Sequence, residues 1–176
     1  MKVTKCHLNG ILLIEPTIYS DERGFFLESF EKKRYQDVGI TEEFIQDNHS
    51  RSVKNVLRGM HFTRNKPQSQ IVTVIRGKIF DVVVDIRKNS PTFGKWFGAE
   101  LSDSGVRQLY MPHGFAHGFC VLSDYADLHY KVSQKYDPKE EGGLRWNDPE
   151  VMIDWPIKNP IISERDANNP YLKEIE

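Results

Sequence analysis

The run Ile71-Val72-Thr73-Val74-Ile75-Arg76-Gly77-Lys78-Ile79-Phe80-Asp81-Val82-Val83-Val84-Asp85-Ile86 decides how the fold is read. Ile71 to Ile75 and Lys78 to Ile86 have the composition of strands, and Arg76-Gly77 between them is a hairpin signal. In the second, Phe80, Val82, Val84 and Ile86 alternate with Ile79, Asp81, Val83 and Asp85, the two-residue period of a strand. Upstream, Val56 to His61 is another apolar run, followed by a loop from Thr63 to Ser69 that contains Pro67. Phe44 to Ser50 alternates too, with Phe44, Gln46, Asn48 and Ser50 on one face and Ile45, Asp47 and His49 on the other. Nearer the N-terminus, strands at Ile11 to Glu15 and Phe25 to Phe30 flank a turn at Asp21-Glu22-Arg23-Gly24. A helix is expected from Glu31 to Val38, stopped by Gly39. Downstream, Gly94 to Leu101 and Gln108 to Met111 read as strands, and Phe115 to Leu122 with Ala126 to Val132 as a second hairpin around Ser123-Asp124.

From Tyr136 onward, Pro138, Pro149, Pro156, Pro160 and Pro170 leave only short apolar patches. This segment is expected to wrap the rest, with one or two short helices. Strands with turn signals about every eight to twelve residues predict an all-β sandwich or jelly-roll barrel. An α/β fold would need helices between the strands, and the middle of the chain has no room for them.

A chain of 176 residues without repeats or a linker-like stretch is read as one domain over 1–176. Its 24 Lys plus Arg balance 25 Asp plus Glu, so there is no basic stripe for nucleic acid. No apolar run approaches the ~18 residues of a membrane span. The run Ile11 to Ile14 is shorter than a signal peptide needs, so a cytoplasmic location is expected. Cys6 and Cys120 are too few for a disulfide framework and lack metal-ligand spacing. Cys120, in an apolar strand, is expected to be a small core residue.

Strand parity places His117 with Phe115, Phe119 and Val121, and Tyr130 with Ala126, Leu128 and Val132. If those apolar faces point inward, an imidazole and a phenol point inward with them, and each needs a polar partner. Together with the Gln46/Asn48 row they predict a small-molecule cavity. Arg58 and His61 have opposite parity, so a regular strand would send them to opposite faces. Gly59 between them marks a bulge that would turn both inward. His113 and His117 lie four apart, but Pro112 and Gly114 make that spacing uninformative and no carboxylate follows it, so no metal site is expected. Histidine, tyrosine, arginine and carboxylates are a set suited to moving protons beside an anionic ligand.

The motifs Asp21-x-Arg23-Gly24-x-Phe26, Gln46-x-Asn48-x-Ser50, Leu57-Arg58-Gly59-Met60-His61, Pro91-Thr92-Phe93-Gly94 and Pro112-His113-Gly114-Phe115-Ala116-His117-Gly118-Phe119 occur in that order. Tyr130-Lys131, Trp146-Asn147-Asp148-Pro149, Trp155-Pro156 and Ser163-Glu164-Arg165-Asp166 follow. With these, the chain resembles the dTDP-4-dehydrorhamnose 3,5-epimerase family along nearly its whole length. The resemblance implies a cupin-type jelly-roll barrel without metal or cofactor, a homodimer with an exchanged N-terminal strand, and a nucleotide-linked 4-keto-6-deoxyhexose as substrate. By position it makes His61 the base, Asp166 its carboxylate partner and Tyr130 the acid on the opposite face of the sugar. Arg23 and Arg58 would hold the diphosphate. Phe26, Glu28, Gln46 and Asn48 would line the nucleotide and sugar pocket, with Gln70, His117, Tyr136 and Arg165 completing the binding set.

Three positions depart from the pattern. Gln70 stands where the family has a lysine near the sugar's C4 oxygen, and a neutral donor is about half as strong as an ionised one. Lys135 stands where an aromatic often precedes the tyrosine, which leaves the nucleobase open. Asn55 stands where glycine is common, and Asn tolerates positive φ. The alternatives are a single-centre epimerase acting on another nucleotide sugar, a sugar 3,4-ketoisomerase, and a catalytically silent ligand-binding cupin. A binder needs no base-acid pair, so His61, Tyr130 and Asp166 together weigh against the last.

Overall fold

The computed structural model describes residues 1–175. In chain order its strands are β1 (Lys2–Lys5), β2 (Leu12–Glu15), β3 (Ile18–Asp21), β4 (Gly24–Leu27), β5 (Gln46–Val53), β6 (Leu57–Thr63) and β7 (Gln70–Arg76). They continue with β8 (Lys78–Asp85), β9 (Trp96–Ser102), β10 (Gln108–Met111), β11 (Phe115–Val121), β12 (Tyr125–Val132) and β13 (Glu141–Gly143). Helices are short: α1 (Lys32–Gln36), α2 (Glu164–Ala167) and a 3-10 turn at Leu172–Glu174. Among the described residues, no helix is long and apolar enough to cross a membrane.

The strands form a six-stranded sheet, β1-β2-β10-β7-β12-β5, and a five-stranded sheet, β13-β6-β11-β8-β9, with β3 and β4 as a separate ribbon. The all-β expectation holds, and the barrel is corrected. Closure requires every strand to bond on both sides. Here β1 and β5 end one sheet and β13 and β9 end the other, so neither closes. Side chains join the two layers instead. Val72, Val74, Leu109 and Leu128 from the first sheet pack with Ile79, Val83, Leu101, Phe115 and Phe119 from the second in one buried cluster. Leu144, Val151 and Leu172 cover the outer side of the five-stranded sheet against Met60, Val82 and Val84, so the C-terminal segment does wrap.

Both expected hairpins are also corrected. β7 and β8 lie in different sheets, as do β11 and β12, so Arg76-Gly77 and Ser123-Asp124 are crossovers between layers. The two crossovers nest in each other. Gly77 has φ +84°, and a Cβ there would fall 2.2 Å from the Tyr125 carbonyl oxygen and 2.5 Å from Ser123 Oγ. Ser123 Oγ accepts the Lys78 N–H at 2.8 Å. A turn that reverses a strand and one that carries it to a facing sheet use the same residues, so the local pattern could not separate them.

Helix α1 is shorter than expected. Glu31 caps it, accepting the Lys33 and Arg34 N–H groups at 2.9 and 2.8 Å. Its buried Tyr35 packs with Leu12, Ile14, Ile71 and Tyr110.

Candidate active site

Register confirms the bulge at Gly59. His61 pairs with His117 and Arg58 with Phe119, so three steps along β6 match two along β11. Gly59 has φ +118°, and a Cβ would stand 2.6 Å from Gly118 Cα and 2.7 Å from the His117 carbonyl oxygen. Only glycine permits that approach. The extra residue brings Arg58 and His61 to the same side, and both line a cavity of about 450 Å³ between the sheets.

Gln46, Asn48, Gln70, His117, Tyr130, Tyr136 and Arg165 line the same cavity. The polar row on β5 thus faces inward, as its alternation requires. Three expected residues do not reach the cavity within one chain. Arg23 bonds Asp21 beside it, Glu28 pairs with Arg34 at 2.6 Å, and Phe26 is exposed against Tyr19. All three belong to the β3–β4 ribbon or the segment leaving it. His113 lines a different cleft, with Arg64 and Lys88, so it does not converge with His117.

Asp166 sits behind His61. It is placed by α2, whose N-cap Ser163 accepts the Asp166 N–H at 3.1 Å. Asp166 Oδ1 lies 2.8 Å from His61 Nε2, and Oδ2 accepts the Gly59 N–H at 3.0 Å. Burial alone would push the Asp166 carboxyl up. Hydrogen bonds from His61 and the Gly59 N–H, with the charges of His61 and Arg165, outweigh it and hold the group at about 2. Asp166 is therefore a carboxylate that only accepts, which puts the proton on Nε2 and leaves Nδ1 with the lone pair. Arg165 Nη2 also approaches Nε2, at 2.7 Å. Two donors cannot share that contact, and Arg165 has carboxylates of its own in Asp166 (3.2 Å) and Glu141 (2.7 Å).

Tyr130 reaches the cavity from β12, in the sheet opposite His61. Burial raises its pKa, Arg58 lowers it and Glu141 raises it again, for a net upward shift that keeps the phenol protonated at neutral pH. His117 Nε2 is 2.6 Å from Oδ1 of the fully buried Asp81. Gln70 Nε2 donates to Gln68 Oε1 at 3.1 Å.

Glu141 and Asp81 were not anticipated. Asp81 interrupts the alternating face of β8 that includes Ile79 and Val83, a carboxylate at an inward position that needed a partner. Glu141 precedes Gly142 and Gly143 in a proline-rich stretch without periodicity, so no signal pointed to it. Its Oε2 accepts from Arg165 Nη1 at 2.7 Å and from the Tyr136 hydroxyl at 3.1 Å, and Oε1 lies 4.0 Å from His61 Nδ1.

An antiparallel sandwich with a histidine from one sheet backed by an aspartate of α2, and a protonated tyrosine from the other sheet in the same polar cavity, suits an isomerase that works by proton transfer. The family model described as dTDP-4-dehydrorhamnose 3,5-epimerase matches residues 5–174. A dTDP-4-dehydrorhamnose 3,5-epimerase of Methanothermobacter thermautotrophicus is 50% identical over 173 residues, covering 97% of this chain and 94% of that protein. A dTDP-4-dehydrorhamnose 3-epimerase of Streptomyces niveus is 42% identical over 176 residues, covering 99% and 85%. The crystal structure of a dTDP-6-deoxy-D-glucose-3,5-epimerase from Legionella pneumophila, in complex with dTDP-4-keto-L-rhamnose, superposes with a TM-score of 0.96 at 47% identity, covering 99% of this chain and 94% of that one. The chain belongs to the dTDP-4-dehydrorhamnose 3,5-epimerase family.

Proposed function

We propose that the protein inverts C3 and C5 of a dTDP-linked 4-keto-6-deoxyhexose, in rhamnose-type sugar biosynthesis. The observation that carries this reading is the His61–Asp166 pair sharing one cavity with Tyr130 from the opposing sheet. A C–H bond beside a ketone is acidic because the electron pair it leaves delocalises onto oxygen as an enolate. His61 takes that proton while Asp166 orients the ring and stabilises the imidazolium. Tyr130 delivers a proton to the opposite face, and the configuration inverts. Arg58 is positioned for the diphosphate, and the Gln70 amide is the donor nearest in character to what an enolate oxygen requires.

Arg23, Phe26 and Glu28 belong to the same reading through a second copy of the chain. Tyr19, Phe25 and Phe26 are exposed on the β3–β4 ribbon, as an element docked on a neighbour would be. We therefore read the enzyme as a homodimer whose N-terminal ribbon completes the partner's cavity, each copy being a single domain over 1–176. The cytoplasm, where nucleotide-linked sugars are made, is the location this substrate suggests.

A single-centre reaction is the second reading, favoured by Gln70. An amide tied to Gln68 stabilises an enolate less than a cation would. Incubation with dTDP-4-keto-6-deoxyglucose in D2O separates the two by NMR. Deuterium at both C3 and C5 is expected. Exchange at one carbon would favour the second reading, and exchange at neither would overturn both.

A further inference from the structure

We infer that Glu141 empties His61 between the two inversions, an inference that rests on the function proposed above. Inverting two carbons with one base uses that base twice. In the first inversion the C–H electron pair enters the enolate and the proton goes to Nδ1 of His61. Tyr130 then gives its O–H proton to the opposite face of the carbon and is left as tyrosinate. Before the second carbon can react, the imidazolium must lose a proton and Tyr130 must regain one. With the cavity open, water does both. With the sugar covering His61, a group beside the ring must carry its proton out to water.

Asp166 is not that group. It faces the other nitrogen, it is buried, and its second oxygen is occupied by the Gly59 N–H. Glu141 is the carboxylate on the Nδ1 side, with Oε1 4.0 Å away. A shift of about 1 Å, or one bridging water, completes that hydrogen bond. Arg165 and the Tyr136 hydroxyl anchor Oε2, so the carboxylate is fixed at one oxygen and open at the other. Its side chain is 22% exposed, which gives a proton placed there a way out. Imidazolium and carboxylate become imidazole and carboxylic acid. The acid then passes its proton to water, and water returns one to the tyrosinate, so charge and protons balance.

A purely structural Glu141 would only hold Arg165 and Tyr136. Glu141→Gln keeps an acceptor oxygen for both and cannot take up a proton, so it separates the roles. With the dTDP-linked 4-keto sugar in D2O, this variant is expected to label one carbon at close to the wild-type rate. Labelling of the second should slow by roughly 100-fold, the low end of what a positioned proton-transfer group contributes. Singly inverted product should accumulate, and added formate should restore the second exchange. Glu141→Asp, which retains a carboxylate, should recover part of it even if the glutamine variant folds poorly. Equal slowing at both carbons with an unchanged product ratio would overturn the inference, as would no change at all. Wild-type protein that exchanges at neither carbon would overturn the function itself, a distinct result.

Discussion

His61 and Asp166 lie 105 residues apart in sequence, and a single hydrogen bond makes them one unit. Asp166→Asn should preserve the volume but remove the negative charge and leave one acceptor oxygen where the Gly59 N–H and His61 Nε2 now have two, lowering turnover by about 10²- to 10⁴-fold with KM little changed. His61→Asn should abolish deuterium exchange at both carbons, and residual exchange within tenfold of wild type would sink the base assignment. Gly59→Ala tests the bulge. Positive φ and a Cβ 2.6 Å from Gly118 Cα predict a loss of about 2 kcal/mol or more in urea unfolding, with activity falling as His61 is displaced. At this scale much of the site was legible. The parity conflict between Arg58 and His61 forced a bulge, and Asn55 does take positive φ, at 64°. The His117–Asp81 pair and the role of Glu141 were hidden, because each depends on how separate strands and loops are brought together.

Elements turn on their ends. Asp85 closes β8 by accepting from Arg87, Ser90 and Thr92 at 2.6–2.8 Å, which ties down the turn into β9. Burial would raise its pKa, and those hydrogen bonds overcome that and hold it at about 2. Asp85 and Asp166 are both depressed from 3.8, so each contributes stability that is complete above about pH 4 and lost as pH falls through about 2. The shift is worth on the order of 2 kcal/mol for each carboxylate. Stability measured from pH 5 to pH 2 should therefore fall steeply, and Asp85→Asn should flatten that fall while lowering stability at pH 7. Gly77→Ala should cost about 3 kcal/mol, since its Cβ would meet the other crossover. Most strands were legible from alternation. Short edge strands such as β1 and β13 carry too few residues for a period to register, and β3 was hidden for the same reason.

For the whole molecule, the barrel expectation failed because local pattern fixes which face of a strand is buried, while strand neighbours are set by the crossovers. The exposed ribbon makes its own prediction: Phe25→Ser with Phe26→Ser should raise the monomer fraction in size-exclusion chromatography and depress activity in parallel. The nested crossovers have a consequence for how the protein is made. From β5 to β13 the chain passes repeatedly between the layers, so the six-stranded sheet lacks a strand until β12 is made and the five-stranded sheet until β13. A chain emerging from the ribosome at about 5–20 residues per second has no subdomain to complete early. Its N-terminal half must wait, with apolar faces open, until β11 and β12 arrive to pair with strands made many residues before. Nascent chains stalled before Tyr125 should remain protease-sensitive, and those released after α2 should become resistant in one step.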